Sequence, residues 1–376
     1  MERPLHLMHV FPDFAPGGAE LRVVKIMNGM GPAVRHTVLP LWGTTTARSH
    51  IHRDIDVAFV EPPGFPPSVR THPVQYFRRL QNVIRAARPD VLLTYNFGAL
   101  YAVMAAWLGR ICPVIHNECG FGSDEAVKLK TRRVLLRRLV LNRIFGVAVT
   151  SHTMQEIAIR QFKLPSRKVH WIRTGVDVAH FQPGLSRQWR QQLGIPDEQV
   201  VFGFLGALRP EKNLPLLLRA FAAARLPNVR LLLIGEGGQR AEMEGLAKTL
   251  GLGDRILFPG YAPDPAAALA ALDVFTLSSS TEQTSNSLLE AMACGLPAVV
   301  TDVGDSRVVL GEDASSVVVP SGDEGAYAAA LAAMAGSPEL RREWGQRNRR
   351  RCLAEYPQDR MIREYQALYY AAYTSR

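Results

Sequence analysis

Asp273-Val274-Phe275-Thr276-Leu277 runs directly into Ser278-Ser279-Ser280-Thr281-Glu282-Gln283-Thr284 and then Ser285-Asn286-Ser287-Leu288-Leu289-Glu290-Ala291-Met292-Ala293-Cys294-Gly295-Leu296-Pro297. The first five residues read as a strand and the hydroxyl-rich stretch after them as a polar loop. Ser285 is a good N-cap, while Gly295 followed by Pro297 marks a stop, so a short helix is predicted from about Ser285 to Cys294. Such a helix start presents unpaired backbone N–H groups and a positive dipole end, which suits a phosphate. Glu282 lies before the helix and Glu290 within it, separated by seven residues. Carboxylates only accept hydrogen bonds, so the paired hydroxyls of a sugar or ribose are natural partners. An N-terminal helix acid plus a solvated surface glutamate fits the same spacing, and spacing alone leaves both readings open.

Working outward, short apolar runs recur at 5–11, 36–41, 56–61, 90–96, 113–118 and 146–151, and again at 200–206, 229–235, 255–260, 273–279, 297–302 and 315–320. Helical patterns separate them. Strands alternating with helices imply α/β architecture with parallel sheets covered on both faces, and two such series imply two doubly wound, Rossmann-like domains. The Gly- and Pro-rich stretch 175–197 reads as the linker between a domain over 1–174 and one over 198–355, with a last helix over 356–376 expected to cross back to the first. Ligands of doubly wound folds sit at the carboxyl ends of the strands, so the active site is expected in a cleft between the two sheets.

At 376 residues, 47% apolar and 21% charged, the chain is long enough for two domains with real cores and unlike a disordered segment. Four cysteines stand far apart, at Cys112, Cys119, Cys294 and Cys352, with no spacing that fits a zinc site. This pattern points to a reducing cytoplasm. No secretory leader is visible, and no run of about 18 apolar residues reads as a membrane span. The net charge is +10, carried by 37 Arg and 7 Lys, and favours polyanions such as nucleotide phosphates, nucleic acid or anionic lipid.

Two local charge patterns stand out. In 128–143, cations at Lys128, Arg132, Arg133, Arg137 and Arg138 alternate with apolar residues at helical spacing. This helix either lies on an anionic membrane surface or turns its apolar side to a sheet and its arginines to water; both readings stay open. Asp54-Ile55-Asp56 has the form of a metal-holding Asp-x-Asp, but it leads into an apolar run far in sequence from the glutamate pair, so no metal site is expected. The run Arg347-Asn348-Arg349-Arg350-Arg351 reads as solvated helix surface.

The Glu282/Glu290 pair leading into Glu290-Ala291-Met292-Ala293-Cys294-Gly295-Leu296-Pro297 and Thr301-Asp302-Val303-Gly304 resembles glycosyltransferase family 4. Gly17-Gly18-Ala19-Glu20, Gly175-Val176-Asp177, Arg209-Pro210-Glu211-Lys212-Asn213 and Gly235-Glu236-Gly237 agree in order. The resemblance covers nearly the whole chain and is most specific in its second half. It implies a GT-B fold and a retaining, metal-independent transfer from a nucleotide-sugar, expected to be a UDP-sugar, to a glycan or lipid-linked acceptor in cell-envelope or exopolysaccharide synthesis. No cofactor is implied. Localisation is expected to be cytoplasmic, peripheral at the inner membrane face if the basic helix meets lipid.

Residue by residue, the resemblance implies that Glu290 holds the ribose and Glu282 the donor sugar, with backbone N–H groups around Thr284, Ser285, Asn286 and Ser287 facing sugar and diphosphate. The family usually has Gly-Phe-Gly where this chain has Gln283-Thr284-Ser285. Lys212 matches the family's phosphate-neutralising lysine. The companion arginine is displaced: Gly206-Ala207-Leu208 stands in place of Gly-Arg-Leu, and Arg209 either substitutes from two residues later or is a surface residue. Gly17, Gly18, Gly237 and Tyr261 are placed among the donor-binding residues. His116 is placed against the donor sugar, although in some relatives the corresponding His falls where Cys119 stands.

Two other functions fit parts of the sequence. Nucleotide-sugar epimerases use two such domains, but the Lys212 segment and the glutamate pair favour transfer. A nucleic-acid-binding role rests on charge alone, without aromatic and basic interleaving, and no specific nucleic-acid partner is expected.

Overall fold

The computed structural model of the chain describes residues 3–60, 73–120, 125 and 129–375. Its strands form two sheets. The first contains β1 (Leu5–Phe11), β2 (Val34–Pro40), β3 (Val57–Phe59), β4 (Val91–Tyr95), β5 (Val114–Glu118), β6 (Gly146–Val149) and β7 (Val169–Trp171), in the order β3-β2-β1-β4-β5-β6-β7. The second contains β8 (Val200–Leu205), β9 (Val229–Ile234), β10 (Ile256–Gly260), β11 (Val274–Leu277), β12 (Ala298–Thr301) and β13 (Val318–Val319), in the order β10-β9-β8-β11-β12-β13. All of these pairings are parallel. Strand order reverses between β1 and β4 in one sheet and between β8 and β11 in the other, the switch points at which such sheets bind ligands.

The central strands are buried and mostly apolar because helices cover both faces. All seven residues of β1 are buried. By contrast β7, Val169-His170-Trp171, is a short edge strand of which only Val169 is buried, and it lacks the apolar run by which the other strands are recognised.

The chain folds as two units, Met1–Thr174 with Asp359–Arg376, and Gly175–Gln358. In the first, α1 (Gly18–Met30) and the closing helix Gln358–Thr374 share one core with the sheet, to which the helix contributes Met361, Ile362, Tyr365, Leu368 and Tyr369. Burying each such large side chain stabilises by roughly 1.5–3 kcal/mol. Gly29 lets the two helices approach: a Cβ there would stand 2.3 Å from Ile362 Cδ1. The opposite core lies against α2 (Pro73–Ala87), α3 (Leu100–Leu108) and α4 (Thr131–Leu141).

The stretch 175–197 is folded into the second unit, where Val176, Phe181 and Ile195 are buried in its core. Its glycines mark turns, with Gly184 at φ +82° and Gly194 at φ +62°. The run 347–351 is a correction to the sequence reading. Asn348 is buried, Arg349 Nη1 donates to the carbonyls of Phe181 at 2.8 Å and Ala293 at 2.6 Å, and Arg351 Nε donates to the carbonyl of Val309 at 2.7 Å. Of these acceptors, Ala293 and Val309 lie in the last turns of helices, whose carbonyls lack partners within the helix. Among the described residues, no helix is long and apolar enough to cross a membrane.

Candidate functional site

In the second unit, β8 and β11 are neighbours running in the same direction, so the loops that follow them emerge side by side. Lys212 ends the short turn Pro210–Lys212 after β8, and Glu282 lies in the loop after β11. Lys212 Nζ donates to Glu282 Oε1, and Ser279 Oγ donates to the same oxygen at 2.8 Å. Among the described residues, Glu282 Oε2 has no hydrogen-bond partner, which leaves it able to accept from a bound hydroxyl.

The two loops are laced together. Ser278 Oγ donates to the Lys212 carbonyl at 2.9 Å, and the Ser280 N–H donates to the Glu211 carbonyl at 2.9 Å. From the other side, Thr301 Oγ1 donates to the Ser279 carbonyl at 2.6 Å and the Asp305 N–H to the Gln283 carbonyl at 2.9 Å. Gly304 has φ +53°, and a Cβ at that position would stand 2.1 Å from the Glu282 carbonyl oxygen. Only glycine combines that backbone with that approach. Ser278, Ser279, Thr301 and Gly304 therefore hold Glu282 in place. Their sequence signals, a serine run and a Thr-x-x-Gly after the next strand, do not identify these contacts.

Beyond Glu282 the chain turns into the helix Asn286–Ala293. Ser285 caps it, its Oγ accepting from the Leu288 N–H at 3.3 Å and lying 3.2 Å from Ser287 Oγ. The cap matches the boundary expected from sequence. Glu290 lies half-buried on this helix. Burial pushes the Cys294 thiol up to about 12, and the nearby Glu290 charge adds to the shift, so Cys294 is a neutral packing residue. At the carboxyl end of β9, Gly237 packs so closely on the next loop that a Cβ would stand 2.3 Å from the Leu208 carbonyl oxygen. Tyr261, directly after β10, is 69% exposed. Arg209 points to solvent, with Nη1 4.0 Å from Glu211 Oε1. Lys212, rather than Arg209, is the cation paired with Glu282.

A cation and a carboxylate on adjoining loops, followed by a capped helix that carries a second carboxylate, form a set able to accept from hydroxyls and neutralise phosphate. Comparison with known proteins is consistent with this chemistry. The "Glycosyltransferase Family 4" model matches residues 16–180 and the "Glycosyl transferases group 1" model residues 186–351. The chain belongs to glycosyltransferase family 4. It is 32% identical over 259 residues to a D-inositol 3-phosphate glycosyltransferase of Saccharomonospora viridis, covering 62% of this chain and 60% of that protein. It is 27% identical over 268 residues to a GDP-mannose-dependent alpha-mannosyltransferase of Mycobacterium tuberculosis, covering 68% and 67%. The matches thus span about three fifths to two thirds of these relatives. Among solved structures, Anabaena HepE in complex with UDP and glucose superposes with a TM-score of 0.82 at 20% identity, over 98% of this chain and all of that one. Sucrose-phosphate synthase from Thermosynechococcus elongatus gives 0.79 at 20% identity, over 99% and 100%. The fold of this family 4 member is GT-B.

In the first unit, the structure buries two of the residues singled out in the sequence. His116, on β5, is wholly buried, with Nδ1 2.8 Å from Thr94 Oγ1 and Nε2 3.4 Å from Glu118 Oε2. Both ring nitrogens are engaged inside the protein, so in this structure His116 is a buried residue of the sheet. Arg137, expected on an exposed helix face in either reading of this stretch, is 1% exposed. Its Nε donates to Glu118 Oε2 at 2.9 Å and its Nη1 to Glu125 Oε2 at 3.2 Å. Burial pushes the Glu118 carboxyl up, but the His116 hydrogen bond and the Arg137 charge outweigh it and hold the group below its ordinary value. A buried guanidinium of this kind is retained by its acids, both distant in sequence.

The other cations of α4 lie nearer the surface. Arg132 and Arg138 are exposed, beside Leu135 and Leu139, each 57% exposed, while Arg133 pairs with Glu125 at 3.0 Å. Lys128 falls outside the described residues. Gly17 precedes α1 as its N-cap, and Gly18 is its first residue. Asp54 and Asp56 are exposed just before β3, at the amino end of a strand. Among the described residues, no group of three or more His, Cys, Asp or Glu side chains could hold a metal ion.

Proposed function

We propose that this chain transfers a sugar from a nucleoside diphosphate sugar to an acceptor hydroxyl, with retention of configuration and without a metal. The observation that carries this reading is the Lys212–Glu282 pair at the β8/β11 switch point, beside the Ser285-capped helix that bears Glu290. In this reading Glu290 accepts from the ribose hydroxyls, and Glu282 Oε2 accepts from the donor sugar. Lys212, with the helix start and backbone groups around Thr284 to Ser287, neutralises the diphosphate. As the bond from the anomeric carbon to phosphate oxygen lengthens, charge grows on the departing diphosphate, and a positioned cation stabilises it more than it does the ground state. No protein nucleophile is required if the acceptor attacks on the face the diphosphate leaves, its proton passing to a departing phosphate oxygen. Gly237 and the exposed Tyr261 ring complete the nucleotide side, and Gly17 and Gly18 belong to the acceptor-side unit.

Relatives named for GDP-mannose and neighbours crystallised with UDP or UDP-glucose support the nucleotide-sugar class. The acceptor is proposed to be a glycan or lipid-linked glycan, as in cell-envelope or exopolysaccharide synthesis. The exposed face of α4 formed by Arg132, Leu135, Arg138 and Leu139 is the candidate contact with anionic lipid. Family membership favours transfer over epimerisation. Incubation with a panel of UDP- and GDP-sugars in excess EDTA, with and without acceptor glycans, tests the reading. Acceptor-dependent release of nucleoside diphosphate supports it, and donor conversion without acceptor would overturn it.

A further inference from the structure

A second concentration of positive charge lies at the opposite end of the first sheet, where the amino ends of its strands meet the carboxyl ends of its helices. A cavity of about 1030 Å³ opens there. Arg3, Arg35, Arg85 and Arg88 line it, with His6 and Thr37 in its wall. A neighbouring hollow of about 460 Å³ shares Arg3, Arg85 and Arg88. Of the acids near these arginines, Asp90 is already committed: it is buried, and its carboxylate accepts from Arg3 Nη2 at 2.6 Å and from the His6 N–H at 2.9 Å. Among the described residues lining the cavity there is no carboxylate.

Arginines at this end of an α/β unit have an ordinary use, since helix carboxyl termini attract cations. Arg85 partly fills that role, with Nη2 3.5 Å from the Gly109 carbonyl oxygen. Arg35 is on β2, not on a helix; Arg35 and Arg88 are both exposed, and among the described residues neither has a carboxylate within ion-pair distance. Arg88 is also held at φ +50°, just past the end of α2, with its N–H on the Arg85 carbonyl at 3.2 Å. His6 is 5% exposed and its Nε2 lies 2.8 Å from Thr37 Oγ1. Burial first, and then the Arg35 charge, hold the ring below its ordinary value, so His6 is a neutral hydrogen-bonding wall and does not compete for the anion.

We propose that this cavity binds a phosphate-bearing ligand at a site separate from the Lys212–Glu282 centre. Guanidinium groups pair with phosphate in forked geometry and remain charged at any physiological pH. The same chemistry is offered by a soluble phosphate compound and by a phospholipid headgroup, and these sources are separable by experiment.

The test uses the full chain in two arms. In the first, inorganic pyrophosphate is titrated by calorimetry into wild type, R35Q/R88Q, K212A and the charge-matched control R167Q/R363Q, whose arginines are exposed elsewhere in the same unit. In the second, the same proteins are floated with phosphatidylglycerol or phosphatidylcholine vesicles. Losing a charge-assisted contact weakens binding on the order of tenfold per arginine, so R35Q/R88Q is expected to lose a binding component that K212A and the control retain. That loss in the pyrophosphate arm identifies a soluble ligand, and in the phosphatidylglycerol arm alone a headgroup. Equal binding by wild type and R35Q/R88Q in both arms, or an equal loss in the control, would overturn the proposal.

Discussion

Lys212 and Glu282, 70 residues apart, form an ion pair across the carboxyl ends of two adjacent parallel strands, and Ser279 binds the same carboxylate oxygen. The two side chains are therefore coupled. Lys212→Met should lower kcat about 10²–10³-fold if the lysine acts on the departing diphosphate. The measurement is a full kcat and KM determination alongside circular dichroism. A variant altered only in KM would place Lys212 in ground-state binding.

Glu290→Gln retains size and helix propensity while removing the charged acceptor. Nucleotide affinity should fall by about 1.5–3 kcal/mol. Calorimetry with UDP and GDP checks this, and unchanged affinity in a folded variant removes Glu290 from the ribose.

Gly304→Ala introduces a methyl group against the Glu282 backbone at a left-handed φ. The loop must shift, so activity should fall while the helices and sheets persist, an outcome readable by comparing turnover with far-ultraviolet circular dichroism.

Arg137→Gln leaves Glu118 buried without its cation and Glu125 with Arg133 alone, and breaking such a buried pair costs about 3–5 kcal/mol. Arg132→Gln with Arg138→Gln should leave stability within about 0.5 kcal/mol, because exposed charges contribute little. If α4 meets anionic lipid, that exposed pair should nonetheless weaken vesicle flotation in a salt-dependent way, by about 1 kcal/mol per cation.

Histidine burial predicts an acid-side loss of stability. Burial lowers His36 to about 4, and His9, 3.0 Å away through Nε2 to His36 Nδ1, is also pushed down by burial and by His36. A histidine with a depressed folded pKa stays neutral in the native protein while the unfolded chain takes up a proton. Its stabilising contribution is thus present above about pH 6.5 and lost as pH falls toward 4. Over that window His36 alone accounts for about 3 kcal/mol. Urea denaturation at several pH values checks the slope, which should be shallower in His36→Gln.

Parallel α/β architecture is legible in the sequence because strands covered on both faces read as near-continuous apolar runs, as β1 does apart from His6 and His9. The limits of the helix Asn286–Ala293 are legible from Ser285, Gly295 and Pro297, whose roles are local. What escapes sequence reading depends on distant partners. Nothing near Arg137 reveals that Glu118 and Glu125 will enclose it, and nothing near His116 reveals Thr94 on the neighbouring strand. For the same reason Ser279 and Gly304 acquire roles at Glu282 only once the strands are aligned.

The closing helix Gln358–Thr374 imposes an order on biosynthesis. Its first-unit residues follow the whole second unit in the chain, so a ribosome releases Gly175–Gln358 before the last helix that buries α1's side of the first sheet. During that interval Val23, Ile26 and Met27 await Ile362, Tyr365 and Leu368, and an apolar face destined for the interior stays open. The nascent first unit is therefore expected to be the later of the two to complete its core, although it is translated first. Pulse proteolysis of a released chain truncated before residue 359 should find the second unit protected and the first cleavable.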